Sequence, residues 1–349
     1  MQIDFHHAAT YILARWAGFE HQQADIIAYS AQYVDDSTYT GSITFSEGQR
    51  YSRTASAHEV LDLRNAMAAK DIRTWVPFHF LPGNCGKTAD EECTQDYHER
   101  LVCIANSRVA RDMLEECLRN RSKTHGLHRL GITMHVYADT WAHQNFAGVD
   151  NKVNDASELE VIKPSEYVDL MDEIATILPG KLGHAQVSCC PDYPFIEWVY
   201  KNWKGDMLSP INNMERFLDA ADNMLQFMNH WNGRHPHGLD QTQQAELSMG
   251  FMSFQSKDGE KRHKEWLELI KLGNVHAISS VHLDYSKSGA NSWKSLSLGT
   301  DEEADLVNGA PSFKPEFMSS NWKLFHDALQ FHRLFVLNEL LPRYGICAA

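Results

Sequence analysis

Residues 135–144 read HVYADTWAHQ, which places His135, Asp139 and His143 at intervals of four. On an α-helix, positions four apart are offset by only ~40°, so the three side chains share one stripe, about 6 Å apart in rise. A solvated face would carry Lys, Glu and Gln at this spacing. Two imidazoles flanking a carboxylate, set among Val136, Tyr137, Trp141 and Ala142, are instead groups suited to hold a cation in a protected site. Residues of the same chemistry concentrate around this stretch. They are Asp4, His6 and His7 near the start, Asp35 and Asp36 after an apolar-periodic run, His79 within PFHF, and His184 and Asp192 downstream. Imidazole plus carboxylate without thiolate is the ligand set of catalytic rather than structural zinc.

Each of these residues taken alone reads equally well as a helix cap, a buried hydrogen-bonding group or a surface residue. Asp35 and Asp36 are less easily explained in that way. The macrodipole disfavours carboxylates at a helix C-terminus, so something cationic is expected beside them. Trp75 and Trp141, with Phe78 and Phe80, are either core or the wall of a substrate site.

The elements that must position these groups are mostly helical. Apolar periodicity predicts helices over 6–17, 21–33, 58–69, 98–121 and 127–144, then over 195–203, 212–231, 241–255, 258–272 and 321–341. Residues 37–56 are rich in Ser, Thr, Gly and Tyr and read as a loop or small β-hairpin. WVPFHFLPGNCG carries too much Pro and Gly for a continuous helix, GKLGHAQVSCCPDYP reads as a loop, and 286–320 as irregular. Strand signals are few and no repeat or low-complexity linker divides the chain. The expectation is an all-α, single multi-helix domain over 1–349, with the metal site within 1–200 and a helical extension over 201–349.

The chain has 349 residues, 43% hydrophobic and 22% charged, enough for a substantial core. Its formal charge of −14 argues against broad nucleic-acid binding, which needs a basic surface. A small phosphate-bearing substrate stays compatible, because bound metal ions reverse the local field. Nineteen histidines are a high count for this length. The seven cysteines include no CxxC pair and read as free thiols in a reduced compartment. No apolar run approaches the ~18–20 residues needed to span a membrane, and MQIDFHHAAT lacks the pattern of a Sec signal. The expected location is the cytoplasm, or export without a classical signal peptide.

WVPFHFLPG resembles the Trp…Pro-Trp-His-Phe segment of the zinc-dependent phospholipase C superfamily, which includes fungal single-strand nucleases. HVYADTWAHQ resembles that superfamily's His-x-x-x-Asp…His helix, and the order of N-terminal His, helix-ending Asp, PFHF His and downstream His/Asp is similar too. DFHHAATYILARWAGF and IIAYSAQYVDD look like bacterial zinc metallophospholipases C. The resemblance spans roughly residues 1–200.

It implies a cluster of two to three zinc ions. Asp139 would bridge two of them, with His135 on one side and His143 on the other. Asp36 and His79 would complete one site, His184 and Asp192 another, with His6 or His7 at the third. In much of the superfamily the N-terminal residue gives its amine and carbonyl to the third zinc. The spacing of four between Asp139 and His143 is shorter than in many members.

The function so implied is a zinc-dependent phosphodiester hydrolase, first of all a phospholipase C that releases diacylglycerol and a phosphorylated head group. Asp36 would be the general base, Trp75 and Trp141 would border the substrate, and a phospholipid substrate would bring peripheral membrane contact. The alternatives are a nuclease or phosphatase on the same scaffold, or a non-catalytic helical metal-binding protein.

Overall fold

The computed structural model describes residues 1–58, 68–164, 182–308 and 311–348. A π-helical turn, Asp4–Ala9, runs into α1 (Thr10–Trp16) and is followed by α2 (His21–Asp36), which opens with a Glu20/Gln23 capping box. Strands β1 (Gly41–Thr44) and β2 (Arg50–Arg53) form an antiparallel hairpin. Next come α3 (Ala68–Phe78), the short α4 (Tyr97–Arg100), α5 (Arg108–Arg119) and α6 (Gly126–Ala142). Strands β3 (Ser157–Lys163), β4 (Glu197–Lys201) and β5 (Ile211–Asn212) pair antiparallel in that order. The remainder is α7 (Asn213–Trp231), α8 (Gln241–Ser253), α9 (Gly259–Leu272), α10 (Trp293–Leu298), α11 (Glu303–Asn308), α12 (Asn321–Phe335) with a π-helical end, Val336–Leu340, and α13 (Leu341–Arg343).

The fold is therefore mixed, helices with two small antiparallel sheets, and the all-α expectation is corrected. The clearest misreading is 195–203, where β4 replaces a helix. Its EWVYK run buries Trp198 and Tyr200 and leaves Glu197, Val199 and Lys201 half-exposed, a period of two rather than 3.6. A run this short does not separate a period of two from one of 3.6, so its local pattern fits a helix as well. The 98–121 helix is two, because the chain breaks after α4 and restarts where the Ser107 side chain accepts from the Ala110 N–H. The expected helix over 58–69 lies largely outside the described residues. Helix α3 runs through Pro77, and the buried His332 ring donates to the Pro77 carbonyl at 2.9 Å.

The largest core cluster joins residues from Met1 to Ala348, including α1, α2, α6, α7 and α9. The helices after residue 201 are thus packed into the site-bearing part rather than appended to it. Helix α9 supplies Arg262, whose guanidinium donates to both oxygens of Asp4 at 2.6 and 3.0 Å, with both side chains about 1% exposed. That ion pair fixes the N-terminal turn.

Helices α2 and α6 form the most extensive helix–helix contact. Gly131 makes it possible: a Cβ there would stand 2.3 Å from the Ile27 carbonyl oxygen and 2.6 Å from the Ser30 Cβ. Because α2 carries Asp35 and α6 carries His135 and Asp139, the closeness of this crossing sets how those side chains meet. Gly131→Ala should cost about 1–3 kcal/mol by overpacking, read as a lowered unfolding midpoint. An unchanged midpoint would show that the crossing tolerates the added methyl.

Candidate metal centre

Helix α6 presents His135 and Asp139 into the interior, 0% and 1% exposed, and His143 follows as the residue that ends the helix. Around Asp139 gather side chains from four other segments. His135 Nε2 lies 3.2 Å from Asp139 Oδ2, and His79 Nδ1 3.4 Å from the same oxygen. The two ring nitrogens are 3.2 Å apart, and each stands 3.8 Å from Asp35 Oδ1. Four donors about 2.0–2.1 Å from a tetrahedral zinc stand about 3.3 Å from one another. Five of the six edges of such a tetrahedron are thus already near the right length.

Asp139 Oδ1 faces a second set. The Met1 ammonium donates to it at 2.9 Å, and His6 Nε2 lies 3.1 Å away. The His6 ring stacks on His135 with centroids 3.9 Å apart, and neither of its nitrogens makes a hydrogen bond. A third set joins His143, His184 and Asp192, whose ligand atoms lie within 4.8 Å of one another. The Met1 ammonium also reaches Asp192 Oδ1 at 3.2 Å.

Backbone carbonyls decide which ring nitrogens point inward. His79 Nε2 donates to the Ser56 carbonyl at 2.8 Å, His143 Nδ1 to the His79 carbonyl at 2.7 Å, and His184 Nδ1 to the Ser188 carbonyl at 2.7 Å. Each contact leaves the opposite nitrogen as a lone-pair donor, the usual way a protein orients a metal-binding imidazole. Phe80 stacks on His143 at 4.4 Å, and the loop before His184 closes over that ring through Gly183, at φ +57°, where a Cβ would meet Phe80 at 2.3 Å.

The electrostatics also favour a cation. Burial pushes the Asp139 carboxyl up, but the Met1 ammonium and the surrounding imidazoles overcome it and hold the group well below the carboxylate range. Asp192 is likewise lowered, burial being outweighed by Met1 and His184. Burial keeps His6 well below the usual imidazole range and His143 down at about 3. Burial lowers the Met1 amine, yet Asp139 and Asp192 raise it to about 11. Two carboxylates, Asp139 and Asp192, therefore share one ammonium in a largely dry site, with His6 and His143 neutral. Burial lowers His79, but Asp139 and Asp35 outweigh it and raise its imidazole, while burial raises the Asp35 carboxyl, so a metal held by these two would displace protons from them. The donor chemistry, the spacing and the orphaned His6 nitrogens fit metal ions.

Of the residues singled out in the sequence, His6, His79, His135, Asp139, His143, His184 and Asp192 come together. Asp36 and His7 do not. Neighbours on a helix diverge by about 100°, so only one residue of each adjacent pair can face the cluster. Asp35 takes the place expected of Asp36, whose carboxylate instead accepts from Tyr285 at 2.6 Å and Gln32 at 3.1 Å. His7 turns to His263, with ring nitrogens 2.9 Å apart. Trp75 lies beside His79, ring centroids 5.2 Å apart, at the edge of the site. Trp141 does not border it: it is core, and its indole donates to Asp219 at 2.6 Å. Side-chain spacing does not choose Asp35 over Asp36, and it carries no signal for the Met1 amine.

A family profile matches residues 1–340 of the chain. The chain belongs to DUF6765, a family of unknown function. No curated protein and no solved structure matches it. The seven cysteines of this family member are all free. Among its described residues no helix is long and apolar enough to cross a membrane.

The adjacent aspartates give a direct check. Asp35→Asn should reduce the metal bound per chain, measured by elemental analysis after gel filtration, whereas Asp36→Asn should leave it at the wild-type value. Equal losses would mean that the end of α2 is misassigned.

Proposed function

We propose that this protein is a zinc-dependent phosphodiester hydrolase built on a cluster of two to three zinc ions, with phospholipids as the leading substrate class. The observation that carries the reading is the position of Asp139 between two sets of donors, each offering imidazole and carboxylate without thiolate. His79, His135, Asp35 and Asp139 Oδ2 would hold one zinc, His143, His184 and Asp192 another, and His6 with Asp139 Oδ1 a third. The resemblance of HVYADTWAHQ and WVPFHFLPG to the zinc-dependent phospholipases C supports the reaction class. The charge of −14 favours a small or lipid phosphodiester over a polynucleotide.

When bound, clustered zinc ions neutralise phosphoryl oxygens, acidify the attacking water and stabilise the departing alkoxide. The chain's own residues supply the rest. Asp35 is the general base in this reading, in place of Asp36. Its side chain is 34% exposed, the most open of the carboxylates in the cluster, and burial raises its carboxyl above the usual range. A base so placed can take a proton from water while the oxygen attacks phosphorus and the ester bond to the leaving group breaks. Asp139, held ionised, keeps the two donor sets at a fixed separation. The carbonyls of Ser56, His79 and Ser188 hold three imidazoles in one tautomer, and Trp75 forms an apolar flank beside His79.

Asp139→Asn keeps the side chain's shape and removes its charge. It should release more than one metal ion per chain and lower hydrolysis of bis(p-nitrophenyl) phosphate by about 100- to 1000-fold, the scale of losing a key electrostatic stabiliser. A purely structural Asp139 would instead cost about 1–3 kcal/mol of stability with metal retained. Parallel assays on a short-chain phosphatidylcholine and on single-stranded DNA decide the substrate class. Turnover of DNA alone would replace the phospholipase reading with a nuclease.

A further inference from the structure

Outside the metal centre, half-buried Arg216 makes no ion pair among the described residues. Arg216 lies in the first turn of α7, and its Nη1 is shielded from solvent without a hydrogen-bond partner. The nearby carboxylates are engaged elsewhere. Asp219 accepts from the Trp141 indole at 2.6 Å and from Asn223 at 3.1 Å. Glu215 is exposed and accepts from Asn212 at 3.2 Å. Burial accordingly lowers the guanidinium to about 10, opposed only by the Tyr200 hydroxyl. An unpaired buried charge is costly, and proteins retain one where something else supplies the partner.

Arg216 lines a cavity of about 350 Å³ together with Asn145, Ser209 and Asn212. The Tyr200 hydroxyl, in a residue 1% exposed, faces the same guanidinium and lies beside Asn145. The groups lining the cavity are a planar guanidinium, two carboxamides, one hydroxyl and the N-terminal end of a 19-residue helix. That donor set suits an oxyanion, because the guanidinium fork matches two oxygens at once and the helix dipole favours negative charge. Glu215, exposed, also lines the cavity and disfavours a polyanion lying across its mouth. The cavity is separate from the metal centre: Phe146 stacks on Tyr200 at 5.6 Å and lies 6.2 Å from His184 on its other side.

We propose that this cavity is a binding site for one phosphate group, carried as inorganic phosphate or as a small phosphomonoester, and distinct from the metal centre. The bound anion supplies the counter-charge that Arg216 lacks. The volume exceeds that of the bare ion, which leaves room for the organic part of an ester.

Calorimetric titration of the full chain with inorganic phosphate, and separately with glycerol 3-phosphate, tests this. Wild-type protein should show a binding component that Arg216→Gln weakens at least tenfold and Asp139→Asn retains. Tighter binding of the ester would assign the remaining volume to its organic part, and equal affinity would identify inorganic phosphate as sufficient. In phosphate-free buffer Arg216→Gln should melt at or above the wild-type temperature, because an unpaired, partly buried charge has been removed. An unchanged isotherm in Arg216→Gln would overturn the proposal. So would loss of all phosphate binding in Asp139→Asn, or a lowered phosphate-free midpoint in Arg216→Gln, which would make the arginine a packing element.

Discussion

Both oxygens of one carboxylate, Asp139, are committed to different partners, and four separate segments are held in place so that this can happen. Oδ1 meets the Met1 ammonium and His6, while Oδ2 meets His135 and His79. A group this buried stays ionised only because positive charge and polar donors surround it. With Asp139 and Asp192 paired to one ammonium and Asp35 beside His79 and His135, carboxylates outnumber the fixed cations of the cluster. The need to balance their charge is the constraint from which the metal reading follows.

The rest of the molecule holds those segments still. The buried Arg262–Asp4 pair ties α9 to the N-terminal turn that carries His6. His332 of α12 satisfies the Pro77 carbonyl just before His79, and the loop at Ser56 accepts from the other face of the His79 ring. The absence of a side chain at Gly131 lets α2 come close enough for Asp35 to reach His79 and His135. The chain after residue 201 therefore acts as a clamp on the site. The helix that carries Asp139 is tied in the same way: the indole of its core residue Trp141 donates to Asp219 of α7.

Much of the centre was legible because its core lies on one helix, where a spacing of four has a single geometric meaning. His135 and Asp139 could be paired from the sequence for that reason. Adjacent pairs could not be resolved in the same way. His6–His7 and Asp35–Asp36 each send one member inward and one to another partner, and the choice depends on helix phase set by packing with α9 and Tyr285. The Met1 amine carries no side-chain signal at all. Strands β3 to β5 were missed because they are short and pair over long separations in the chain, while local periodicity there was too brief to distinguish two from 3.6.

The central claim is that the groups around Asp139 hold zinc. The most direct measurement is anomalous diffraction from crystals of the full chain, recorded on both sides of the zinc absorption edge. The account predicts difference peaks beside Asp139, one enclosed by Asp35, His79 and His135 and another by His143, His184 and Asp192. A folded, well-diffracting protein grown with zinc present and lacking any peak within bonding distance of Asp139 would contradict it.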